Sequence, residues 1–469
     1  MKDLSAIILA AGEGKRMKSK KSKVLHKVCG KALVEWVYEA VQKAGIEKCI
    51  LVVGHKAEEV MTYMGQKTQF ALQKEQLGTG HAVMQAQHAI KDHEGHVIIL
   101  NGDTPLIKGD TIKQVIEYHI KNDNAATVIT TELDDATGYG RIVRDDSGNV
   151  IRIVEHRDAN EQEKAIKEIN SGMYCFAVKN LLDALSKINN SNSQKEYYLT
   201  DTIEILISEN NRVGALKIED STELLGINNR IQLSEVEKVM QQRILSEHME
   251  NGVTIIDPGT TYIQADIEIK MDTIIYPGCI LEGNTKIGED CVIGPNSRII
   301  NSIVENNVEV QNSVIIDSYI SENTRIGPFA YIRPESKIGK NVKIGDFVEI
   351  KKSVIGDNTK VSHLAYIGDA EVGKNVNMSC GSITVNYDGQ KKYKTIIGDN
   401  SFVGCNVNLV APVIVNKNAY IAAGSTITDE VPENSLAIAR ERQVVKDGWV
   451  KKKFRMENTE LRTKEDKNK

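Results

Sequence analysis

An aliphatic residue recurs at about every sixth position through most of the second half of the chain. The recurring positions are 275, 281, 287, 293 and 299, then 326, 332, 338, 344 and 350, then 355, 361 and 367, and finally 397, 403, 409, 415, 421 and 427. A hexapeptide repeat of this length is typical of a parallel β-helix. One hexad cannot bury its aliphatic residue alone, so the stacked coils must share one core. The sequence therefore predicts a β-helix over residues 251–453. The segment 384–394 does not follow the repeat and is predicted to leave the helix as a loop.

The fifth position of the hexad usually holds a small or β-branched residue, and Cys279 and Cys291 occupy it in two hexads. Packing in the core explains these two cysteines better than metal binding does. The seven cysteines of the chain form no C-x-x-C motif and no cluster with histidine. This pattern argues for a reducing compartment and against a structural zinc site.

Two cations break the repeat at the position after the aliphatic residue, where glycine is usual. They are Arg333 and Lys351, which lie 18 residues apart. If three hexads form one coil, residues 18 apart stack on neighbouring coils at about 4.8 Å. Like charges at that distance repel unless an anion lies across them, and a phosphate suits that place. The alternative is that both side chains splay into solvent.

A histidine, His363, occupies the third position of its hexad, which should face outward. A neutral imidazole near physiological pH is a suitable general base. From the sequence alone, however, a solvated surface histidine is the simpler interpretation. The step from Ile350 to Ile355 is five residues, so the register changes just before His363, and the direction of its imidazole is not predicted.

The first 228 residues alternate short apolar runs with longer mixed stretches. The runs are "AIILA" (6–10), "CILVVG" (49–54) and "HVIILNGD" (96–103), and the stretches that suit helices include 33–45 and 79–91. This alternation predicts a Rossmann-like α/β domain, in which helices cover a mainly parallel sheet. Ligands bind at the carboxyl ends of the strands in such sheets, so the loops after the first and third runs are the first candidates.

Residues 229–250 have the pattern of a helix that joins two domains, with Gly252 suited to its end. The apolar residues that can share one face of this helix are Ile231, Val236, Val239, Met240, Ile244 and Leu245. The sequence thus predicts a first domain over residues 1–228, the joining helix, and the β-helix. The polar tail at 454–469 is predicted to be disordered.

The loop "LAAGEGKRM" (9–17) follows a predicted strand and carries two glycines, Lys15 and Arg16. Glycine lets a backbone approach a phosphate, and the cations balance its charge. The loop matches neither the Walker A motif nor G-x-G-x-x-G, and a solvated turn is an equally good interpretation. Asp103 closes another strand, where a carboxylate suits Mg²⁺ on nucleotide phosphates. The alternative is that Asp103 caps the turn before Pro105.

Composition excludes several classes of protein. The net charge is −5, so general nucleic-acid binding is not indicated. No run of about 18 apolar residues is present, so no membrane span is expected. The start of the chain lacks the cleavage pattern of a signal peptide. We therefore expect a cytoplasmic protein.

Eight short motifs occur together in one order: "LAAGEGKRM", "KSKVLH", "LQKEQLGTGHA", "NGD", "GYGRIV", "IVEHRDAN", "EINSGMY" and "GINNR". Together they resemble the sugar-nucleotide pyrophosphorylase family. Within it, they are similar to the bifunctional N-acetylglucosamine-1-phosphate uridyltransferases and glucosamine-1-phosphate acetyltransferases. With the C-terminal motifs the resemblance covers about residues 3–453. It implies a left-handed β-helix and synthesis of UDP-N-acetylglucosamine, a precursor of peptidoglycan and lipopolysaccharide.

For the N-terminal reaction, the resemblance implies that uridylyl is transferred from UTP to N-acetylglucosamine-1-phosphate with release of pyrophosphate. The residues that it assigns to these substrates are Leu9, Ala10, Ala11, Gly12, Lys23, Gln73, Gly78, Thr79, Asn101, Gly102, Asp103, Gly140, Glu155, Asn170 and Asn228. Within this set Gln73 and Thr79 would read the uracil, whereas Gly140, Glu155 and Asn170 would hold the sugar.

The same resemblance assigns the charges of the N-terminal site. Arg16 and Lys23 would act catalytically by neutralising the triphosphate, and Asp103 and Asn228 would hold Mg²⁺. Such a transfer depends on positioning and charge neutralisation more than on a covalent nucleophile. The sequence departs from the family at Ser22, where proline is common, and at Asn101, where tyrosine is frequent.

For the C-terminal reaction, the resemblance implies acetyl transfer from acetyl-CoA to glucosamine-1-phosphate, with His363 as the catalytic base. The residues that it assigns to the sugar phosphate are Arg333, Lys351, Tyr366 and Asn377. Those that it assigns to acetyl-CoA are Asn386, Tyr387, the backbone of Cys380 and Cys405, Ala423 and Arg440. Cys380 stands where alanine is usual and Cys405 where serine is usual. Direct transfer is favoured over an acetyl-cysteine because those usual residues do not act as nucleophiles here.

Similar hexapeptide acyltransferases form three-fold trimers with acetyl-CoA bound between subunits, so the resemblance implies a homotrimer. Two other functions stay open at this point. One is a single-activity pyrophosphorylase whose β-helix only assembles or regulates the enzyme. The other is a non-catalytic nucleotide sensor. The C-terminal set of charged and polar residues argues against the first, and the phosphate-and-metal set argues against the second.

Overall fold

The chain forms two compact units in the computed structural model, which describes residues 3–92, 94–192 and 194–454. One unit contains the chain up to Ile267 together with Leu281–Gly283. The other contains Glu268–Ile280 and the chain from Asn284 onwards. The predicted disordered tail lies outside the described residues from 455 onwards. The predicted segment boundaries after residues 228 and 250 stay predictions.

The first unit is built around a mixed, mainly parallel sheet. Its strands are β1 (Leu4–Ala10), β2 (Lys27–Val28), β3 (Lys31–Ala32), β4 (Lys48–Val53), β5 (Gln69–Leu72), β6 (His96–Asn101), β7 (Ala126–Glu132), β8 (Gly140–Arg144), β9 (Val150–Val154), β10 (Glu168–Ala177) and β11 (Val213–Lys217). The order across the sheet is β11-β7-β10-β6-β1-β4-β5, and β8 pairs with β10 and β9. Strand β1 runs parallel to both β4 and β6, whereas β10 runs antiparallel to β6 and β7. The short strands β2 and β3 form a separate antiparallel pair.

Helices cover both faces of this sheet. They are α1 (Leu33–Lys43), α2 (Ala57–Met64), α3 (Thr79–Ile90), α4 (Gly109–Lys121), α5 (Glu161–Lys164), α6 (Val178–Leu185), α7 (Asp201–Ser208) and α8 (Arg230–Glu250). Short 3-10 helices lie at Lys15–Met17, Lys23–Leu25, Gly65–Lys67 and Ser221–Leu224. Neighbouring residues of β1 point to opposite faces of the sheet. Ile8 packs in an apolar cluster with α1 and α4, and Ile7 packs in another with α3 and α6. Burial on both faces explains why β1 is a continuous apolar run.

Helix α8 packs against the first unit with Val236, Met240, Ile244 and Leu245 buried. The prediction for Ile231 is wrong, since its side chain is 72% exposed. Ile231 lies in the first turn of α8, and the buried residues of the helix begin at Val236. Among the described residues, no helix is both long enough and apolar enough to span a bilayer.

The second unit is a three-sided parallel β-helix. Strands β12 (Thr254–Ile255), β13 (Tyr262–Ile263) and β16 (Ile280–Glu282) lie near the division between the units. The first side contains β15 (Ile274–Ile275), β18 (Val292–Ile293), β21 (Glu309–Val310), β24 (Arg325–Ile326), β27 (Lys343–Asp346), β30 (Lys360–His363), β33 (Asn377–Met378), β36 (Phe402–Val403), β39 (Tyr420–Ile421) and β41 (Leu436–Ala437). The second contains β19 (Arg298–Ile300), β22 (Val314–Ile316), β25 (Tyr331–Ile332), β28 (Glu349–Lys351), β31 (Tyr366–Gly368), β34 (Ile383–Val385), β37 (Asn408–Val410) and β40 (Thr426–Ile427).

The third side contains β14 (Glu268–Ile269), β17 (Lys286–Ile287), β20 (Ile303–Val304), β23 (Tyr319–Ile320), β26 (Lys337–Ile338), β29 (Val354–Ile355), β32 (Ala370–Val372), β35 (Thr395–Ile397) and β38 (Val413–Val415). A short helix, α9 (Trp449–Phe454), follows the coils. The predicted β-helix of hexapeptide repeats is confirmed. The predicted loop at 384–394 begins later than expected, because Thr384 is buried and belongs with Val385 to β34.

Many corners of the β-helix have a left-handed backbone conformation, and asparagine occupies most of them. Examples are Asn312 and Asn406, with φ of 44° and 54°. Asparagine tolerates this region better than other side chains with a Cβ. Three equivalent corners carry bulky apolar residues instead: Phe329, Phe347 and Leu364, with φ of 60°, 55° and 39°. These three side chains are more than half exposed, and the two phenyl rings stack with centroids 5.6 Å apart.

Candidate active sites

A cavity of about 720 Å³ opens at the carboxyl ends of β1 and β6 in the first unit. These strands are parallel neighbours, with Leu9 opposite Asn101, so the loops that follow them meet at one edge of the sheet. The residues that line the cavity are Leu9, Ala10, Ala11, Gly12, Glu13, Lys15, Lys23, Val24, Gln73, Gln76, Gly78, Thr79, Ala82, Asn101, Asp103, Thr104, Tyr139, Ser171, Glu196, Leu224, Gly226 and Asn228. Most residues assigned to UTP are therefore brought together.

The glycine-rich loop after β1 forms one wall of this cavity. A Cβ at Gly12 would meet no atom within 4 Å, so the space in front of its backbone is open to a ligand. Gly14 has a φ of 64°, and a Cβ there would come within 2.6 Å of the Lys23 Cβ. Glycine at this position therefore lets Lys23 approach the loop closely.

Three predicted residues meet on the floor of the cavity. The Lys23 Nζ donates a hydrogen bond to the Asn228 Oδ1 at 2.8 Å and forms an ion pair with the Asp103 carboxylate. The Asp103 backbone carbonyl accepts a hydrogen bond from the Ile227 N at 3.0 Å, which holds the two loops together. One carboxylate oxygen and one amide oxygen thus already converge on a single cation. Hard oxygen ligands in this arrangement fit Mg²⁺.

The residues assigned to the uracil, Gln73 and Thr79, also line the cavity. The Gln73 Nε2 donates to the Gly78 carbonyl at 3.1 Å and lies 3.1 Å from the His81 Nδ1. The Thr79 hydroxyl accepts from the Leu199 backbone N at 3.1 Å. These bonds fix the side chains before any ligand binds.

Five of the assigned residues do not line the cavity: Arg16, Gly102, Gly140, Glu155 and Asn170. The Arg16 side chain is exposed, and Gly102 lies behind the wall, donating from its N to the Leu9 carbonyl at 2.9 Å. Gly140 and Asn170 are partners in the pairing of β8 with β10. Burial, with the nearby Asp158 and Asp201 carboxylates, raises the pKa of Glu155.

Sequence reasoning missed several residues of the cavity, including Gln76, Tyr139, Ser171 and Glu196. Burial and the negative charge of Asp103 raise the pKa of Tyr139, which places its ring beside the predicted metal ligand. The signal for Tyr139 was present in the quoted motif "GYGRIV". Gln76 and Ser171 likewise lie in the quoted motifs "LQKEQLGTGHA" and "EINSGMY", whereas Glu196 lies in none of them and reaches the cavity only through the fold.

In the second unit, Arg333 and Lys351 stack on neighbouring coils as their spacing predicts. Ile332 pairs with Ile350, and the Arg333 N donates to the Ile350 carbonyl at 2.8 Å. Each cation also has a carboxylate partner, which the sequence did not predict, and the bound phosphate stays a prediction. The Arg333 Nη1 lies 2.6 Å from the Glu349 Oε1, and the Lys351 Nζ lies 3.6 Å from the Asp369 Oδ2.

A third cation, Lys392, joins this pair from the loop that leaves the helix. Its contact with Lys351 lowers the pKa of Lys392. The positive charge of Arg333 further lowers the pKa of Lys392. Three cations against two carboxylates leave net positive charge on this patch, which favours an anion. Sequence reasoning missed Lys392, because a residue in a non-repeating loop has no predictable position.

The His363 imidazole faces outward and is held by a carboxylate. Its Nδ1 lies 2.6 Å from the Asp346 Oδ1, and the two residues pair between β27 and β30. The hydrogen bond from His363 lowers the pKa of Asp346. With Nδ1 as the donor, Nε2 of the neutral ring has a free lone pair, as a general base needs. Asp346 was missed, although it lies one coil before His363.

The residues assigned to acetyl-CoA extend from His363 along the same edge of the β-helix. Met378 pairs with Val403, and Val403 with Ile421, so Cys380, Cys405 and Ala423 occupy equivalent corners. Both cysteines are exposed free thiols. The Asn386 Nδ2 donates to Asp369, which links this set to Lys351.

The other assigned residues lie along this edge as well. Tyr387 is exposed, and its hydroxyl donates to the Gly389 carbonyl at 2.6 Å. The Arg440 Cδ lies 3.7 Å from the position of a Cβ on Gly424. Tyr366 stands on β31 with its ring against Gly368, and the Asn377 Nδ2 donates to the Ser379 hydroxyl at 3.0 Å.

Comparison with known proteins gives matching assignments for both units. Residues 5–222 match the nucleotidyl transferase family. Residues 266–301 and 394–429 match the six-repeat bacterial transferase hexapeptide family, and residues 316–386 match the GMPPB C-terminal domain.

Full-length relatives decide the family. The bifunctional protein GlmU of Acetivibrio thermocellus is 63% identical over 453 residues, which are 97% of this chain and 98% of that protein. The GlmU protein of Caldanaerobacter subterraneus is 60% identical over 455 residues, 97% of this chain and 99% of its own length. That of Clostridium botulinum (strain ATCC 19397 / Type A) is 58% identical over 449 residues, 96% and 98% of the two chains. The chain belongs to the GlmU family.

Membership of the GlmU family confirms the predicted enzyme and fold class. The chain is a bifunctional transferase of UDP-N-acetylglucosamine synthesis. Its nucleotidyltransferase half performs uridylyl transfer, and its left-handed β-helix of hexapeptide repeats performs acetyl transfer. The alternatives, a single-activity pyrophosphorylase and a nucleotide sensor, are not supported.

Proposed function

We propose that the two activities run in series at the two sites described above. The β-helix site would acetylate glucosamine-1-phosphate with acetyl-CoA, and the cavity of the first unit would then join the product to UTP with release of pyrophosphate. The observation that carries this proposal is that each unit contains its own complete set of charged groups. Lys23, Asp103 and Asn228 meet in one unit, and Asp346, His363 and Lys351 lie in the other.

In the first unit, a sugar-1-phosphate oxygen attacks the α-phosphorus of UTP. The backbone at Gly12 gives the phosphates room, and Gln73 and Thr79 hold the base. Asp103 and Asn228 would hold Mg²⁺, which when bound would supply charge neutralisation on the phosphates. Lys23 and Arg16 add positive charge beside them. Positioning and charge together account for most of the catalysis in such transfers.

In the second unit, the substrate phosphate binds across Arg333, Lys351 and Lys392. Tyr366 and Asn377 orient the sugar. The Nε2 of His363 then takes a proton from the amine as the amine attacks the thioester carbonyl of acetyl-CoA. The C–S bond breaks, and CoA leaves as the thiol with that proton. Asp346 holds the imidazole in the tautomer that this step requires.

We also propose that three copies of the chain assemble through the apolar corner of the β-helix. Phe329, Phe347 and Leu364 are 56%, 60% and 58% exposed, an unusual arrangement for a soluble surface. Phe347 and Leu364 directly follow Asp346 and His363 in the chain. A second copy packed on this corner would therefore border the acetyl-transfer site and could complete the acetyl-CoA site.

The decisive experiment omits each reactant in turn from a mixture of glucosamine-1-phosphate, acetyl-CoA, UTP and Mg²⁺. UDP-N-acetylglucosamine should form only when all four are present, as measured by chromatography of the products. Product formed without acetyl-CoA or without UTP would contradict the two-step scheme.

Two substitutions separate the sites. Asp103→Ala should lower uridylyl transfer by roughly 100-fold or more and leave acetyl transfer intact. His363→Ala should lower acetyl transfer by roughly 10²–10⁴-fold and leave uridylyl transfer intact. Asp110→Ala, which removes a fully exposed carboxylate at the start of α4, is the matched control and should change neither rate. Full uridylyl activity in Asp103→Ala would refute the metal assignment.

A further inference from the structure

Lys23 occupies the position where its two partners would hold a metal. Its Nζ lies 2.8 Å from the Asn228 Oδ1 and is ion-paired with the Asp103 carboxylate. The Lys23 and Asp103 side chains are only 14% and 21% exposed. Water therefore screens this ion pair less than it would at the surface. The Lys23 ammonium thus takes the place of a metal cation beside the Asp103 carboxylate and the Asn228 amide oxygen.

A metal ion and the Lys23 ammonium compete for these two oxygens, because two cations held at the same oxygens repel each other. Metal binding must therefore move Lys23 away from Asp103 and Asn228. The displaced ammonium then needs another anion, and no other carboxylate is paired with Lys23 among the described residues. The open space in front of Gly12, where the nucleotide phosphates are proposed to lie, is the place that can supply one.

We propose that Lys23 keeps the metal site closed until a nucleotide triphosphate binds. In the free enzyme Lys23 competes with the metal for Asp103 and Asn228. When phosphates enter the cavity, Lys23 transfers to them and releases both oxygens. Metal and nucleotide then bind with positive coupling, and the coupling is reciprocal for the two ligands. This inference rests on the proposed metal role of Asp103 and Asn228.

The neighbouring Lys15 does not compete in this way. It also lines the cavity, but it pairs with Glu13 and its side chain is 85% exposed. Lys15→Met therefore removes a positive charge from the same cavity without freeing Asp103 or Asn228. This makes it a matched control for the general loss of charge.

The test measures binding of Mn²⁺ to the full-length, nucleotide-free enzyme by electron paramagnetic resonance. We expect Lys23→Met to bind Mn²⁺ roughly tenfold or more tightly than the unsubstituted enzyme, within the usual range of coupling between sites. Lys23→Arg, which keeps a cation, and Lys15→Met should bind Mn²⁺ like the unsubstituted enzyme. Equal or weaker binding by Lys23→Met would overturn the inference.

Further variants separate this inference from the proposed metal site. Lys23→Gln repeats the test if Lys23→Met does not fold, which circular dichroism would reveal. Adding Asp103→Asn to Lys23→Met should abolish the gain in affinity. Mn²⁺ binding that depends on Asp103 but not on Lys23 would refute only the competition. Binding that depends on neither residue would refute the metal assignment and the inference together.

Discussion

At the scale of single residues, the proposed acetyl transfer depends on one hydrogen bond, between the His363 Nδ1 and the Asp346 Oδ1 at 2.6 Å. We predict that Asp346→Ala lowers kcat for acetyl transfer by roughly 10–100-fold, because the imidazole loses its orientation and its fixed tautomer. KM for glucosamine-1-phosphate should change little, since Asp346 is not proposed to contact substrate. Steady-state kinetics with a thiol assay for released CoA checks both values.

Asp346→Asn keeps an oxygen acceptor and should retain more activity than the alanine variant. The control is Glu371→Ala, which removes an exposed carboxylate paired with Lys394 on another side of the β-helix. A rise in KM without a fall in kcat would show that Asp346 binds substrate and does not position His363.

The two exposed cysteines give a second prediction at this scale. Cys405→Ser should keep acetyl transfer within about threefold, because only the backbone of Cys405 is proposed to line the acetyl-CoA site. Intact-protein mass spectrometry after incubation with acetyl-CoA should detect no acetylated cysteine. A trapped acetyl-enzyme that disappears in Cys405→Ser would show that transfer is covalent and not direct.

Residue spacing predicted some of these contacts and not others. The repeat has a fixed period, so the stacking of Arg333 on Lys351 followed from 18-residue spacing alone. The carboxylates that balance them, Glu349 and Asp369, were not predicted, because side-chain pairing depends on rotamers as well as on register. The orientation of the His363 imidazole was not predicted, because the five-residue step from Ile350 to Ile355 changes the register just before it.

At the scale of elements, the apolar patterns predicted most strands and helices of the sheet. The predicted run 96–103 became β6 (His96–Asn101), and the stretch 79–91 became α3 (Thr79–Ile90). The antiparallel strand β10 between β6 and β7 has no comparable signal, because pairing direction is set by long-range connections. This strand brings Ser171 to the cavity, a placement that the motif "EINSGMY" did not by itself predict.

Helix α7 begins with Asp201, an acidic residue whose burial lowers the free energy of unfolding near neutral pH. Burial, with the nearby Glu204 carboxylate, raises the pKa of Asp201 from 3.8 to about 6. Between these values the folded state binds more protons than the unfolded state, so the free energy of unfolding falls as pH rises. Above about pH 6 the decrease in the free energy of unfolding has reached its full value.

We therefore predict that Asp201→Asn stabilises the first unit at pH 8 by about 1 kcal/mol, after allowance for partial exposure and a lost helix-dipole contact. At pH 3.5 the variant should show no gain, because Asp201 is then largely protonated in both states. Thermal unfolding followed by circular dichroism at the two pH values measures the difference. Glu204→Gln removes only the smaller cause and should give a smaller gain at pH 8.

At the scale of the whole molecule, the apolar residues at this corner of the β-helix are unfavourable in a single chain and favourable in the proposed assembly. Phe347 adopts a φ of 55°, which costs a side chain with a Cβ roughly 1 kcal/mol in an isolated chain. Equivalent corners hold asparagine at Asn312 and Asn406 without that cost. A bulky apolar residue at such a corner is explained if a second copy covers it, because burial of the ring then offsets the strain.

This conflict predicts opposite effects of one substitution. Phe347→Asn should leave the free energy of unfolding of the β-helix unchanged or raise it slightly, because it relieves backbone strain. It should also weaken the proposed trimer, so that sedimentation equilibrium detects monomers at low micromolar concentration. Acetyl transfer should then fall with dilution, while uridylyl transfer per chain stays constant, because its cavity lies within the first unit.

Val354→Asn, at a comparably exposed position on the third side, should leave the assembly intact. A trimer that survives Phe347→Asn unchanged would show that the three copies meet on another surface.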